Sequence, residues 1–182
     1  AKDGKGNDRL VRSILEYNQE FPFFGETRKF WSTSDLEAGF MINKYMDAFK
    51  YSDPVGEGAV SANGDWPTVR VNFPIIRFAE MLLFRAEAYL MTGQADKATA
   101  DINRIRLRSN LVPLAGTATM KDLYHERRCE LAIEGTRLYD IRRWKTIETA
   151  LNGNPRGAKF AADNTQYIQL DKRSFNKDRD YL

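Results

Sequence analysis

The sequence predicts a mainly α fold, with helical hairpins in its second half and short strands and irregular loops in its first. Three observations carry this. From Phe73 onward, apolar residues recur at three- and four-residue spacing, the period of a helix. Before Phe73, Gly, Pro and Asn interrupt the apolar runs, which suits loops and short strands. The composition of the 182 residues, 42% hydrophobic and 29% charged, is that of a globular chain with a packed core.

Residues 1–7, AKDGKGN, are polar and Gly-containing and read as a frayed end. Residues 8–17, DRLVRSILEY, fit either a short strand or a short helix. The aromatic stretch of Phe21, Phe23, Phe24, Phe30 and Trp31 is broken by Pro22 and Gly25, so it is irregular rather than one helix. Residues 39–46, GFMINKYM, suit a strand. The Gly-, Pro- and Asn-Gly-containing stretch 52–67, SDPVGEGAVSANGDWP, reads as a long surface loop.

A helix is predicted over 74–91, with Pro74 at its start, where the missing N–H costs nothing. It is apolar around most of its circumference, which predicts packing on more than one side. Thr92-Gly93 ends it, and a second helix follows over 94–109, with Ala95, Ala98, Ile102 and Ile105 at helical spacing. Pro113 and Gly116 punctuate the next loop. Thr119 offers an N-cap with Asp122 three residues on, an approximate capping box, for a helix over 120–134 that ends at Gly135. A helix over 137–150 aligns Leu138, Ile141, Trp144, Ile147 and Leu151. Residues 152–165 read as a loop, 166–170 as a short strand, and a charged tail follows.

Several function classes are excluded or weakened by composition. Net charge is +3, with 28 basic and 25 acidic residues interleaved, so a nucleic-acid partner is not implied. The densest basic spot, Arg142, Arg143 and Lys145, follows Glu134 and Asp140 and reads as an ion-paired helix face. One cysteine, Cys129, allows no intrachain disulfide, and one histidine, His125, allows no multi-His metal site. No stretch approaches the roughly 20 apolar residues of a membrane span. The chain opens at Ala1 without Met or a signal peptide and stops at Tyr181–Leu182, so a fragment of a longer protein is expected.

The 74–109 pair has features of a tetratricopeptide-like hairpin. Such a hairpin needs small residues where its helices cross and large ones beside them. Ala86 and Ala98 fill the small positions, with Leu82, Tyr89, Ile102 and Ile105 at large ones. A generic helical hairpin fits these residues as well. Three longer segments add a family pattern. They are FPIIRFAEMLLFRAEAYLMTGQADKATADINRIRLR at 73–108, TMKDLYHERRCELAIEG at 119–135 and TRLYDIRRWK at 136–145. Within them stand Arg77, Ala79 and Glu80; Asn103 and Arg106; Glu126, Arg127, Glu130, Leu131, Glu134 and Gly135; and Asp140, Arg143 and Trp144. In order and spacing this resembles the SusD/RagB family, and DRLVRSILEY and GFMINKYM resemble its segments more weakly.

The resemblance implies a fold of tetratricopeptide-like hairpins with irregular loops and minor β structure in the N-terminal half. It implies that 1–182 is a single domain, the C-terminal portion of such a protein: a loop-rich part over 1–72, a helical-repeat part over 73–151, and a loop and tail over 152–182. It further implies an outer-membrane, surface-exposed lipoprotein that captures an oligosaccharide or polysaccharide without breaking a bond. The partner would be a TonB-dependent outer-membrane transporter of the SusC kind, with the protein as a lid over its barrel. The lipid anchor would lie outside this fragment. No cofactor and no metal are implied.

The charged residues favour the non-catalytic reading. Glu130 and Glu134, four apart, share a face if the helix runs through both, and paired carboxylates can serve acid–base chemistry. Each has Arg within a turn, however, which favours the ionised form, whereas a general acid needs the protonated one. An Arg–carboxylate lattice fixing helix packing is the expectation. Cys129 reads as a small buried hydrophobe; His125 lies four residues before it, with no evident orienting Asn or Asp.

Sugar binding uses flat aromatic faces together with polar groups for the hydroxyls. The helices commit their aromatics to packing and the loops do not. Trp66, with Asn63 and Asp65 beside it, Tyr51 before that loop, and Trp31 are therefore the ligand-binding candidates. The alternative is a helical-repeat scaffold that binds only protein, with these aromatics covering a core.

Overall fold

The computed structural model describes residues 8–16, 20–23, 26–29, 40–45, 73–153, 156–158, 167–169 and 174–176. The chain divides into two compact units, one of residues 1–11 and 74–147, the other of 12–73 and 148–182. Among the described residues the first is helical and the second carries short antiparallel pairs and most of one short helix, so the fold is mainly α, as predicted.

In the helical unit, α2 (Phe78–Met91) and α3 (Ala95–Arg108) form the predicted hairpin, and α2 also packs on α4 (Met120–Glu130). Ala86 of α2 and Ala98 of α3 are fully buried, as close helix approach requires. Around them Ala79, Leu82, Leu83, Ile102, Ile105, Ala118, Leu123 and Leu131 make one core, with Tyr89, Leu90, Leu114 and Met120 against it. Asn103 Oδ1 accepts from the Leu114 N–H at 2.7 Å and Thr99 Oγ1 from the Ala118 N–H at 2.7 Å. Two polar side chains of α3 thereby hold the loop that leads to α4.

Helix ends follow local chemistry. The capping box at Thr119 is complete: its hydroxyl accepts from the Asp122 N–H, and the Asp122 carboxylate accepts from the Thr119 N–H at 2.8 Å. The Thr119 hydroxyl also donates to the Asp122 carboxylate and holds its pKa below the ordinary value. Gly93, at φ 75°, ends α2 in the left-handed conformation that glycine adopts freely.

Three boundaries differ from the sequence reading. The predicted helix 74–91 begins at Phe78, because Pro74 belongs to the approach rather than to the first turn. The predicted helix 120–134 stops at Glu130, and residues 131–135 form a turn in which Ile133 has φ 70° and Gly135 φ 75°. The predicted helix 137–150 is two helices, α5 (Arg137–Arg143) and α6 (Ile147–Leu151), because Lys145 takes φ 55° between them. A fourth expectation also changes. Among the described residues helix α2 is covered on one side, where Ala79, Leu82, Leu83, Ala86 and Glu87 are buried. Phe78, Met81 and Phe84 remain 61%, 48% and 41% exposed, so the apolar circumference did not bring a second packed face here.

Residues 8–17 contain both of the structures their pattern allowed: α1 (Asp8–Ser13) runs into β1 (Ile14–Glu16). In the second unit β1 pairs antiparallel with β4 (Phe40–Ile42), Leu15 opposite Met41, and the Asn43 and Lys44 N–H groups both donate to the Ser13 carbonyl. The aromatic stretch holds a hairpin of β2 (Glu20–Phe23) and β3 (Glu26–Lys29), in which Pro22 is tolerated because a two-stranded pair has only edges. Strand β6 (Tyr167–Gln169) falls where predicted. Its partner β5 (Arg156–Ala158) lies in what reads as a loop, since Arg-Gly-Ala has no strand-forming signal of its own. Among the described residues no helix is long and apolar enough to cross a membrane.

Candidate functional site

The five ligand-binding candidates, Trp31, Tyr51, Asn63, Asp65 and Trp66, lie outside the described residues. What the structure describes is the frame from which they extend. Tyr45 and Phe73 flank positions 46–72, which carry four of the five. Their rings meet at 5.1 Å between centroids, tilted by 51°. The two residues that flank that stretch are therefore in contact. Tyr45 has φ 65°, a left-handed conformation in which its backbone turns out of β4, and Lys44 Nζ lies 5.9 Å from its ring centroid.

Within the helical unit, charged groups converge on one end of α4 and the turn after it. Glu126 and Glu130 are 1% and 2% exposed and lie four residues apart on one face of α4. Two like charges buried this close need compensation. Arg9 Nη1 donates to both carboxylates, reaching Glu130 Oε2 at 3.3 Å. Arg106 Nη1 donates to Glu126 Oε2 at 3.0 Å, while its Nε donates to the Val112 carbonyl at 2.8 Å. Arg77 Nη1 donates to Glu130 Oε1 at 2.7 Å, and Arg108 donates to the same oxygen.

Glu134 joins this group by a route the sequence reading did not foresee. It is off the helix, so it does not share a helical face with Glu130. The turn through Ile133 and Gly135 presents it to Arg77, whose Nε and Nη2 grip both carboxylate oxygens at 2.7 and 2.8 Å. Arg77 Nη2 also donates to the Glu130 carbonyl at 2.8 Å, one of the carbonyls that the end of α4 leaves open. Burial opposes the charge on Arg77, but the hydrogen bonds to Glu134 and Glu130 outweigh it and raise its pKa above the ordinary arginine value. Arg9 behaves alike: burial works against its charge, and Glu126 reverses the balance.

A second cluster ties α2, α4 and α5 together. Arg127, 1% exposed at its side chain, donates from Nε to Asp140 Oδ2 at 2.9 Å, lies 3.8 Å from Glu80, and stacks over the Phe84 ring at 4.6 Å. Arg143 forks both Nη groups onto Glu87 and donates from Nε to Asp140 Oδ1 at 3.1 Å. Trp144 Nε1 donates to Glu87 at 2.8 Å, and its ring stacks on Tyr124 with centroids 3.9 Å apart. Arg85 and Asp101 form a further fork between α2 and α3 at 2.7 and 2.8 Å.

The lattice expected from the sequence is thus present. Its members Arg9 and Arg108 are additions, because nothing in the local pattern of either residue distinguishes it from a solvated charge. Cys129 is half-buried rather than buried, and its Sγ lies 3.7 Å from Nε2 of the exposed His125 on the same helix face. Among the described residues no group of three or more His, Cys, Asp or Glu could hold a metal ion. Chemically, the arrangement fixes helices. Each buried carboxylate of the lattice accepts from a guanidinium.

Comparison with known proteins agrees with this frame. The chain is 32% identical over 116 residues to the starch-binding protein SusD of Bacteroides thetaiotaomicron, an alignment that takes in 64% of this chain and 20% of that protein. It is 35% identical over 91 residues to a SusD-like protein of Formosa agariphila, covering 42% of this chain and 18% of the relative. The chain therefore spans about a fifth of the length of these curated relatives. A crystal structure of a SusD-like protein from Bacteroides fragilis superposes with a TM-score of 0.70 at 28% identity, over 92% of this chain and 34% of the other. The profile of the SusD family matches residues 4–181, nearly end to end, and the chain belongs to that family.

Proposed function

We propose that this chain is the C-terminal portion of a non-catalytic glycan-binding lipoprotein of the outer-membrane surface. It captures an oligosaccharide or polysaccharide and passes it to a TonB-dependent transporter of the SusC kind. The observation that carries this is the family match across residues 4–181, with a relative that is itself named a starch-binding protein. The pairing of the buried carboxylates with arginines supports the absence of bond-breaking chemistry. In this reading the helical unit is scaffold, and ligand contact falls to Trp66, Trp31, Tyr51, Asn63 and Asp65.

The rival reading, a helical-repeat scaffold for a protein partner, draws on the exposed apolar side chains Ile75, Ile76, Phe78 and Met81. A screen of the full-length protein against insoluble and soluble polysaccharides, followed by calorimetry, separates the two. We expect saturable binding to at least one glycan with no new reducing ends. Released reducing sugar would overturn the non-catalytic assignment, and a silent panel would favour the scaffold.

A further inference from the structure

Among the described residues α2 packs on α3 and α4, and its opposite side is open but patterned for packing. Met81, Phe84, Ala88 and Met91 follow one another at spacings of three, four and three residues, the a and d positions of a heptad. On a helix such positions fall on one face. All four are exposed, Met91 at 76%. Phe78, three residues before Met81, flanks them and is exposed as well. A surface helix ordinarily turns polar residues outward on such a face.

The two aromatic rings on this side are already held in place. Arg104 of α3 lies over the Phe78 ring at 5.0 Å, and Arg127 and Arg143 lie 4.6 and 5.6 Å from the Phe84 ring centroid. Rings fixed in this way lose little freedom when a partner packs on them, and a cation–π contact strengthens as water is excluded. The charged neighbour of Phe84, Arg85, is engaged by Asp101, so its charge is compensated before any helix packs beside it.

The length of the relatives indicates what covers this face. In the SusD-like crystal structure from Bacteroides fragilis the matching part is 34% of the chain, so most of such a protein lies outside it. A helical hairpin of a repeat array buries its apolar faces against neighbouring repeats and is incomplete without them. We propose that the exposed seam of α2 is the docking face for an amphipathic helix from the remainder of the same polypeptide, seated along Met81, Phe84, Ala88 and Met91. Ala88, the smallest of the four, marks the closest approach. The seam is about 15 Å long at 1.5 Å per residue, so about three turns of helix cover it. It is an internal joint of the full-length protein rather than the binding surface of a separate protein partner. The joint is independent of whether the protein binds a glycan.

The test uses the full-length protein in a Cys129→Ser background, with the labelling of that parent subtracted. Met81→Cys and Ala88→Cys are treated with a thiol reagent in the native state and in urea. We expect native labelling to be at least about tenfold slower than unfolded labelling at both positions, since a buried site reacts only when it opens. A benzophenone side chain in place of Met91 then identifies the occupant by photo-cross-linking and peptide mapping. We expect a link within one molecule, to a stretch outside residues 1–182 whose apolar residues recur at three- and four-residue spacing.

Should Ala88→Cys disturb folding, Met81→Cys still gives the rate, because it only removes volume. Native labelling as fast as unfolded labelling overturns the joint. A cross-linked species of doubled mass makes the occupant a second copy and also overturns it. So does protection that disappears when a co-purifying protein is removed, and so does a link that stays within residues 1–182 or reaches a stretch without helical spacing.

Discussion

Lys145 has φ 55°, an expensive conformation for a residue with a side chain. Its N–H donates to the Arg142 carbonyl at 3.0 Å, and the Thr146 N–H reaches the Ile141 carbonyl at 2.9 Å. This pair of bonds is the Schellman ending of α5. Helices α2 and α3 end alike, at Gly93 and at Asn110 with φ 58°. Glycine and asparagine announce such an ending in a sequence; lysine does not. That is why the sequence suggested one helix over 137–150 where there are two. Lys145 is exposed, so its replacement disturbs no packing. We expect Lys145→Gly to stabilise the chain by about 0.5–1 kcal/mol. This is the left-handed penalty of about 1–2 kcal/mol less the freedom glycine adds to the unfolded state. Urea unfolding measures it, and a lowered midpoint would count against the left-handed ending.

At the scale of elements, the hairpin was legible because its determinants are local. Ala86, Ala98, Ile102 and Ile105 lie at helical spacing, and all four are buried. The capping box at Thr119 was legible for the same reason. The strand at 156–158 was not, since its pairing with Tyr167–Gln169 is a long-range fact. Helix α2 shows a different limit. Its composition called for cover on more than one side, and α3 and α4 supply one side. Phe78 and Met81 are left 61% and 48% exposed, next to Ile75 and Ile76 at 89% and 69%. Exposed large apolar side chains this close in sequence bind hydrophobic dye and promote self-association. We expect the 182-residue chain to do both, and Phe78→Ser with Met81→Ser to reduce both. Helix content should be kept and stability altered by about 0.5 kcal/mol or less, as for surface sites. Dye fluorescence, light scattering and circular dichroism check this. Loss of helix in the double variant would mean that these side chains are packed.

At the scale of the molecule, sequence separates what holds the chain together from what it binds, but reads them unequally well. The Arg–carboxylate lattice was legible as a class, because arginines and carboxylates recur in α2, α4 and α5 at spacings that suit forked pairing. Which arginine meets which carboxylate was not. Arg9 reaches Glu130 across 121 positions, and no local period encodes such a contact. The candidate ligand residues rest on weaker grounds still: aromatic type, polar neighbours and position in a loop. Trp66 is the sharpest of them and gives the most direct test. If its indole is a platform for a sugar ring, Trp66→Ala in the full-length protein removes a binding contact while sparing the helical core. An aromatic anchor of this kind is worth about 2 kcal/mol or more, so affinity should fall roughly thirtyfold with little change in Tm. Trp66→Phe should restore part of it. Trp144→Phe is the informative contrast. That indole donates to Glu87 and stacks on Tyr124, so its replacement should lower Tm and leave affinity alone. The reverse pattern, with Trp66→Ala destabilising and binding intact, would make Trp66 a cover over the core and move the ligand site to Trp31 or Tyr51.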